Sequence, residues 1–306
     1  MKNLFTNSRL LIKVWMVFWF IAFCIRLRID PWKFFQLNAD YFNKAKGIYS
    51  KLEINLLIPY QWRLKQLAYD ESSEPRTYPV FLKPEWGQNS YGIFRADCSE
   101  DYQTIREKVA QKKLNYLLQD AAPETREFEI YYIRRADLPE SFAALSVTEV
   151  NNSREQTHPI NGVNNMDTTY TDLSRHFTGA DAQTIWRHVR TIGNFRMARV
   201  CVKTNSETDL LQGRFHIVEI NLFTPMPLNL LDPNISWEEK AQFIKNGMQF
   251  LAENAKAISA TQERKNVFFK KLLMHHKVKS NKVYEKNVIK SSIDGLKPIS
   301  QDVFTP

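Results

Sequence analysis

Two oxygen-bearing side chains that could share one cation stand at the end of an apolar run: residues 215–221 close with Glu219-Ile220-Asn221. Alternation along a strand puts Glu219 and Asn221 on one face, where a carboxylate and an amide oxygen can reach the same ion. Oxygen donors of this kind suit Mg²⁺ better than zinc or copper. Another apolar run, 136 residues before that glutamate, ends in Lys83-Pro84 and leads into a loop carrying Gly87 and Gly92. Backbone amides in such a turn can approach phosphate oxygens while the Lys83 ammonium neutralises them. At about 4 Å and an effective dielectric of about 20, one such pairing is worth roughly 4 kcal/mol before desolvation. The loop is not a P-loop, because no Lys-Ser/Thr follows its glycines. Together the two places point to magnesium nucleotide chemistry.

Strands and turns must hold these groups. Residues 78–82 read as a short strand, 84–90 as a loop and 91–95 as the returning strand of a hairpin. Ser99, with Glu100 and Asp101 behind it, is expected to cap a helix through about residue 112 that buries Ile105 and Val109. Strands at 115–119, 127–134 and 144–150 follow, then a polar stretch, 151–172, expected to be a long surface loop. The segment 182–191 is amphipathic, with Ile185, Trp186 and Val189 on one side. Strand 195–203 should turn Val200 and Val202 to the core, and a polar turn, 205–213, returns it to the Glu219 strand as an antiparallel hairpin. A last helix, capped by Ser236, runs over 237–258.

The front of the chain is of another kind. Residues 14–25 are unbroken apolar sequence between Lys13 and Arg26. Twelve residues fall short of the roughly 20 needed to cross about 30 Å of hydrocarbon. The expectation is a helix lying in a membrane interface, with Trp15, Trp19 and Trp32 near the headgroups. A short spanning helix and a helix docked on the core are the alternatives; a signal peptide is not expected, since no small-residue cleavage site follows. Helical stretches are expected near 34–52, and 70–76 reads as a linker.

The 306 residues carry a net charge of +9, concentrated at the ends: +5 in residues 1–33 and +6 in 263–306, leaving the middle near neutral. Basic ends around a neutral body suit an anionic membrane surface better than a DNA-reading core, with RNA left open. Cys24, Cys98 and Cys201 are widely spaced, which suggests neither a disulfide framework nor a zinc site, and a reducing cytosol is the simpler home. His275-His276 is expected to be exposed in the basic tail, while His158, His176 and Asp167 are further acid–base candidates without a supporting spacing.

Taken in order, these pieces resemble the ATP-grasp superfamily over residues 77–260. Tyr78-Pro79-Val80-Phe81-Leu82-Lys83-Pro84 resembles the lysine strand of its small lid, and residues 87–93 the phosphate loop. Leu117-Leu118-Gln119-Asp120 and Arg126-Glu127-Phe128-Glu129-Ile130 resemble the segments around adenine and ribose, and 215–221 resembles the metal strand. Tyr131-Tyr132-Ile133-Arg134-Arg135 and Leu231-Asp232-Pro233 suggest the D-alanine-D-alanine-ligase-like branch. The resemblance implies an α+β, ATP-grasp fold: two α/β lobes with a nucleotide cleft between them, preceded by the hydrophobic helix. Its divisions would be 1–30 (membrane-interface helix), 31–76 (short helical region), 77–137 (small lobe), 138–262 (large lobe with the metal site) and 263–306 (basic tail).

The same resemblance implies ATP and Mg²⁺ as cofactors, and a carboxylate and an amine as substrates joined through an acyl phosphate. Lys83, Gly87 and Gly92 would meet the phosphates, Gln119 the adenine edge and Glu127 the ribose, with Glu129 as the alternative. Glu219 and Asn221 would hold Mg²⁺. Arg199 would stabilise the oxyanion, and Arg134 the transferred phosphate or the acceptor. A cytoplasmic protein at an anionic membrane surface is implied, with nucleic acid not the favoured partner. Two departures stand out: the aspartate usual two residues after the arginine is Cys201 here, and the amino-terminal part is short. Both favour the rival reading, a nucleotide-binding module without turnover. A membrane or RNA adaptor that binds no nucleotide is the third.

Overall fold

The computed structural model describes residues 2–270, 272 and 273, apart from residues 88, 89, 113 and 156. His275-His276 and most of the basic tail lie outside the described residues, as do residues 88 and 89 of the glycine-bearing loop.

The first helix, α1, runs from Lys2–Leu27, and its segment Arg9–Leu27 is long and apolar enough to cross a membrane by length and composition. The helix is longer than the apolar run 14–25 within it. Lysine and arginine are good helix formers, so the helix continues through the charges that end the apolar run. Ile12, Phe20, Phe23 and Cys24 on one side of α1 are buried against the helix at Trp237–Lys256. Trp19 packs inward on Phe23 with Lys245 Nζ over its ring, whereas Trp15 and Trp32 are exposed.

The helical stretch expected near 34–52 is instead two 3₁₀ turns, Pro31–Gln36 and Ala39–Tyr41, followed by α2, Lys51–Leu57. Asn38 explains the interruption. Its buried side chain donates to the carbonyls of Met197 (2.7 Å) and Leu222 (3.1 Å) and accepts from Arg196 N (3.0 Å), pinning the segment to the main sheet.

A four-stranded antiparallel sheet follows, made of β1 (Gln66–Ala68), β2 (Val80–Pro84), β3 (Phe94–Ala96) and β4 (Tyr116–Asp120) in the order β1-β4-β2-β3. Helix α3, Ser99–Ala110, covers it with Tyr102, Ile105 and Val109. Its N-cap is Cys98 rather than Ser99, and Asp101 reaches back to Asp97 N at 3.1 Å. Gly92 sits at φ +73 in the β2–β3 connection, where a Cβ would also meet Tyr116 Oη at 3.1 Å, so the turn needs glycine.

The second sheet has five antiparallel strands: β5 (Arg126–Arg134), β6 (Phe142–Asn152), β7 (Thr168–Asp172), then β8 (Met197–Thr204) and β9 (His216–Asn221), in the order β7-β6-β5-β8-β9. Strand β5, inside the 77–137 unit, pairs in this sheet, while β1, before that unit, pairs in the smaller one. Between β7 and β8 lies α4, Gly179–Val189, closed by a Thr178/Asp181 capping box. Strand β7 falls within the stretch expected to be loop. Its Thr-Thr-Tyr-Thr sequence buries Tyr170 between β-branched neighbours, which suits a strand. The expected turn 205–213 contains a short helix, α5, Glu207–Leu211, capped by Ser206 and anchored by buried Leu210.

Alternation gives the five-stranded sheet two unlike faces. Phe128, Ile130 and Tyr132 of β5 and Ala198, Val200 and Val202 of β8 pack against Ile185, Trp186 and Val189 of α4. The opposite face carries Glu127, Glu129, Arg199, Cys201, Lys203 and Glu219 toward the first sheet. Helix α6, Trp237–Lys256, has a Ser236/Glu239 capping box and joins α1 to β5 and β6 of the sheet through Ile244, Met248, Leu251 and Ala255.

Candidate active site

The two sheets face a common cavity of about 980 Å³. Register sets its polar wall. Glu129 on β5 lies opposite Cys201 on β8, which lies opposite Glu219 on β9; the neighbouring row holds Tyr131, Arg199 and Asn221. Asn221, with its amide oriented to satisfy both neighbours, accepts from Arg199 Nη2 (3.3 Å) and donates to Glu219 Oε1 (3.1 Å). Lys51, at the start of α2, places its ammonium 3.4 Å from Glu219 Oε1.

A bulge brings the first sheet to this row. Between the pairs Cys201↔Glu219 and Val202↔Ile217, Val218 has no partner on β8. Its carbonyl accepts from both Lys83 Nζ (3.2 Å) and Gln119 Nε2 (3.2 Å), and Gln119 Oε1 accepts from Lys83 at 2.8 Å. Lys83 and Glu219 therefore stand on the same cavity, at the junction of the sheets. Gln119 lines the cavity with its amide oxygen accepting from Lys83 and one of its two amide N–H groups donating to Val218 O. The segment after it, Asp120, Ala121 and Ala122, continues the same wall.

Electrostatics at the junction are finely opposed. Lys83 is 3 % exposed, and burial, reinforced by Lys51 nearby, brings its pKa down to about 7 despite Glu219. Burial raises Glu129 to about 7 against the pull of Arg199. Glu219 is also pushed up by burial, but Lys51, Lys83 and Arg199 outweigh this and hold it below the usual carboxylate value. Burial, with Glu127 and Glu129 adding to it, lifts Cys201 well above the usual thiol range, so it stays a neutral thiol.

Glu127, Glu129 and Cys201 bring their ligand atoms within 4.8 Å of one another. Glu127 Oε2 is also 3.4 Å from Lys203 Nζ and accepts from Asn161 Nδ2 at 3.1 Å. Glu129 Oε2 lies 3.2 Å from Arg199 Nε, yet neither atom has a hydrogen bond of proper geometry. An orphaned buried carboxylate oxygen beside Glu127 fits a hard cation. Cys201 does not, because a protonated thiol is a poor ligand for Mg²⁺.

The remaining expected residues divide. Gly87 lines the cavity, whereas Gly92 serves the turn behind it. Arg134 is not brought to the cavity. It is buried under the sheet, donates to the carbonyls of Pro139 (2.6 Å), Gly193 (2.9 Å) and Phe195 (3.2 Å), and lies 4.9 Å over the Trp186 ring. The contact expected of it with phosphate or acceptor is corrected to a structural one. His158 reaches the cavity, but Asp167 pairs with Arg154 and His176 with Glu207 outside it.

Sequence reasoning passed over Lys51, Lys203 and the segment 157–163. Lys203 was within reach of alternation, since 199, 201 and 203 share a face. Lys51 had no such signal. Arg95 Nη1 holds the carbonyls of Thr157 (2.7 Å) and His158 (3.0 Å), and Ser90 Oγ donates to Asn161 O, so this segment bridges the glycine-bearing loop to the larger sheet.

The titrations have opposite consequences for stability. Between pH 4.5 and about 7 the folded state keeps a proton on Glu129 that the unfolded chain has released, so stability falls as pH rises through that window. For Lys83 the unfolded chain holds the extra proton between about 7 and 10.5, and stability rises with pH there. Glu129→Gln should therefore gain stability over the wild type between about pH 5 and about pH 8, on the order of 3 kcal/mol, in urea melts. A difference that does not change with pH contradicts burial as the cause.

No protein-family model and no curated protein sequence matches the chain. Solved structures do. An L-amino acid ligase from Bacillus licheniformis matches at 14% identity and TM-score 0.43, over 67% of this chain and 47% of that one, so the match spans about half of that enzyme. VanG D-Ala:D-Ser ligase from Enterococcus faecalis matches at 12% identity and TM-score 0.45, over 69% of each chain. D-alanine--D-alanine ligase from Bacillus anthracis complexed with ATP matches at 10% identity and TM-score 0.46, over 68% of this chain and 66% of that one. These three are ATP-grasp proteins. The likeness is one of general chain path and carries no residue role.

Proposed function

We propose that this chain is an ATP-dependent carboxylate–amine ligase of ATP-grasp type that works through an acyl phosphate. One observation carries the reading: Lys83 from the smaller sheet and the Arg199–Glu219–Asn221 group from the larger one converge on one cavity.

Glu219 and Asn221 would hold Mg²⁺, with Glu129 providing the acid that Cys201 does not. When bound, the ion neutralises phosphate oxygens as charge shifts between them. Lys83 and Lys51 present ammonium groups to the same charge, and Gln119 and the Val218 carbonyl fix Lys83 in place. The γ-phosphoryl group passes from ATP to the carboxylate, releasing ADP. The amine then attacks the acyl carbon and loses a proton, and inorganic phosphate leaves. Arg199, held by Asn221 and by the Met226 carbonyl (3.2 Å), stabilises the oxyanion of that second step.

The test is Mg²⁺-dependent ATP binding by calorimetry, with ADP release measured over paired carboxylates and amines. Lys83→Ala should weaken ATP binding at least about tenfold, in line with the loss of one ammonium–phosphate pairing. Unchanged binding would remove that role from the lysine.

Cys201 favours a second reading, a nucleotide-binding protein that turns over slowly or not at all. Cys201→Asp restores an oxygen ligand between Glu129 and Glu219, and should raise Mg²⁺-dependent ADP release by about tenfold or more. Equal rates in wild type and variant would mean that Glu129 already completes the site.

We place the protein at the cytosolic face of a membrane. Leu10, Val14, Val17, Phe18, Ile21 and Ile25 form an exposed apolar stripe along α1 whose opposite side is packed on α6. Val14→Glu combined with Ile25→Glu should abolish flotation with vesicles of anionic lipid. Undiminished flotation would take α1 out of membrane attachment.

A further inference from the structure

The cavity is larger than the polar junction, and its far end is chemically different. Strand β8 runs along it like a ruler: Lys203, Cys201 and Arg199 face the polar half, and Met197 is the next residue on the same face, about 7 Å beyond Arg199. From there the wall is Met16, Phe20, Phe34, Met248 and Leu251, contributed by α1, the first 3₁₀ turn and α6. This end reaches the surface beside Val17, Ile21 and Trp32, which line the cavity and are also 59%, 41% and 56% exposed. Lys13 joins the same wall. A continuous path thus leads from the exposed apolar stripe of α1, past a cation, through a hydrocarbon-like chamber to Arg199.

Soluble proteins close such spaces, because an apolar chamber left open forfeits both contact and burial. A chamber joined to a site that handles a carboxylate has the shape of an amphiphile. The carboxylate head belongs at the Arg199 guanidinium, and the triphosphate belongs on the Lys83 side. The space continuing away from both is apolar. We propose that the carboxylate substrate carries a hydrocarbon chain, which this chamber receives from the α1 side. The assignment rests on the ligase reading for what happens at the head and on the chamber alone for what happens at the tail.

The test uses the full chain and a fluorescent carboxylate, 11-(dansylamino)undecanoic acid, displaced by butanoic, octanoic and dodecanoic acids below their micellar concentrations. Affinity should rise by about fourfold for each added methylene, as for burial of hydrocarbon. Val17→Glu and Ile21→Glu, at the mouth, should each weaken dodecanoic acid binding at least tenfold. Ile25→Glu lies on the same exposed stripe but outside the cavity, and should leave that binding unchanged. Affinity that ignores chain length overturns the proposal. So does an Ile25→Glu loss equal to that of Val17→Glu, which would mean adsorption on the helix surface. Mg-ATP binding is measured on the same samples. Chain-length dependence without nucleotide binding would sink the ligase reading and keep the chamber, whereas nucleotide turnover without chain-length dependence would do the reverse.

Discussion

Replacing Glu219 by alanine is expected to lower ADP release by about 10²–10³-fold at saturating ATP, the usual loss when a charge-stabilising group is removed from a reacting centre. Three contacts give it this weight. Glu219 is the partner of Lys51, it accepts from Asn221, and its negative charge opposes the desolvation of Lys83. Without it, two ammonium groups face each other across the junction and Asn221 loses the neighbour that orients it toward Arg199. The side chain is partly exposed at the cavity, so the variant should fold. Glu219→Gln separates charge from shape: it should approach the alanine variant in turnover while retaining the wild-type thermal midpoint. Wild-type turnover in either variant would place the metal on Glu127 and Glu129 instead.

The second large effect concerns stability. Trp186→Ala should destabilise the protein by about 3–5 kcal/mol, the range for emptying a buried aromatic site. Trp186 is fully buried at the centre of the larger core. Its Nε1 donates to Glu140 O at 2.7 Å, Tyr132 and Phe142 meet it edge-on, and Arg134 lies over its ring. Removing it leaves that carbonyl unpaired and exposes the Arg134 guanidinium to a cavity. Arg134→Ala belongs to the same experiment. It should lower the denaturation midpoint and leave Mg-ATP affinity as in the wild type once folded. A selective loss of nucleotide affinity would return Arg134 to the site.

Much of the framework was legible because local rules act over short spans. The 199–203 alternation, the Ser236 cap and the Ile185-Trp186-Val189 face each need only a few neighbours to define them, and each lies where periodicity puts it. Errors arose where a distant partner overrides local preference. Asn38 stops a helix because strands some 160 residues away need its amide. Thr168–Asp172 is a strand because β6 offers it an edge. Arg134 looks like a binding arginine in sequence, yet three carbonyls and a tryptophan from other elements claim it.

By itself the sequence determined which groups can do chemistry and which share a strand face, since both follow from residue type and a period of two. Only the folded chain decided which of those groups meet. The bulge at Val218 that captures Lys83, the Glu129–Cys201–Glu219 row and the apolar chamber behind Met197 all depend on the register and docking of separate elements. Such positions are set by the free energy of packing over the whole molecule, and no short stretch of residues encodes them.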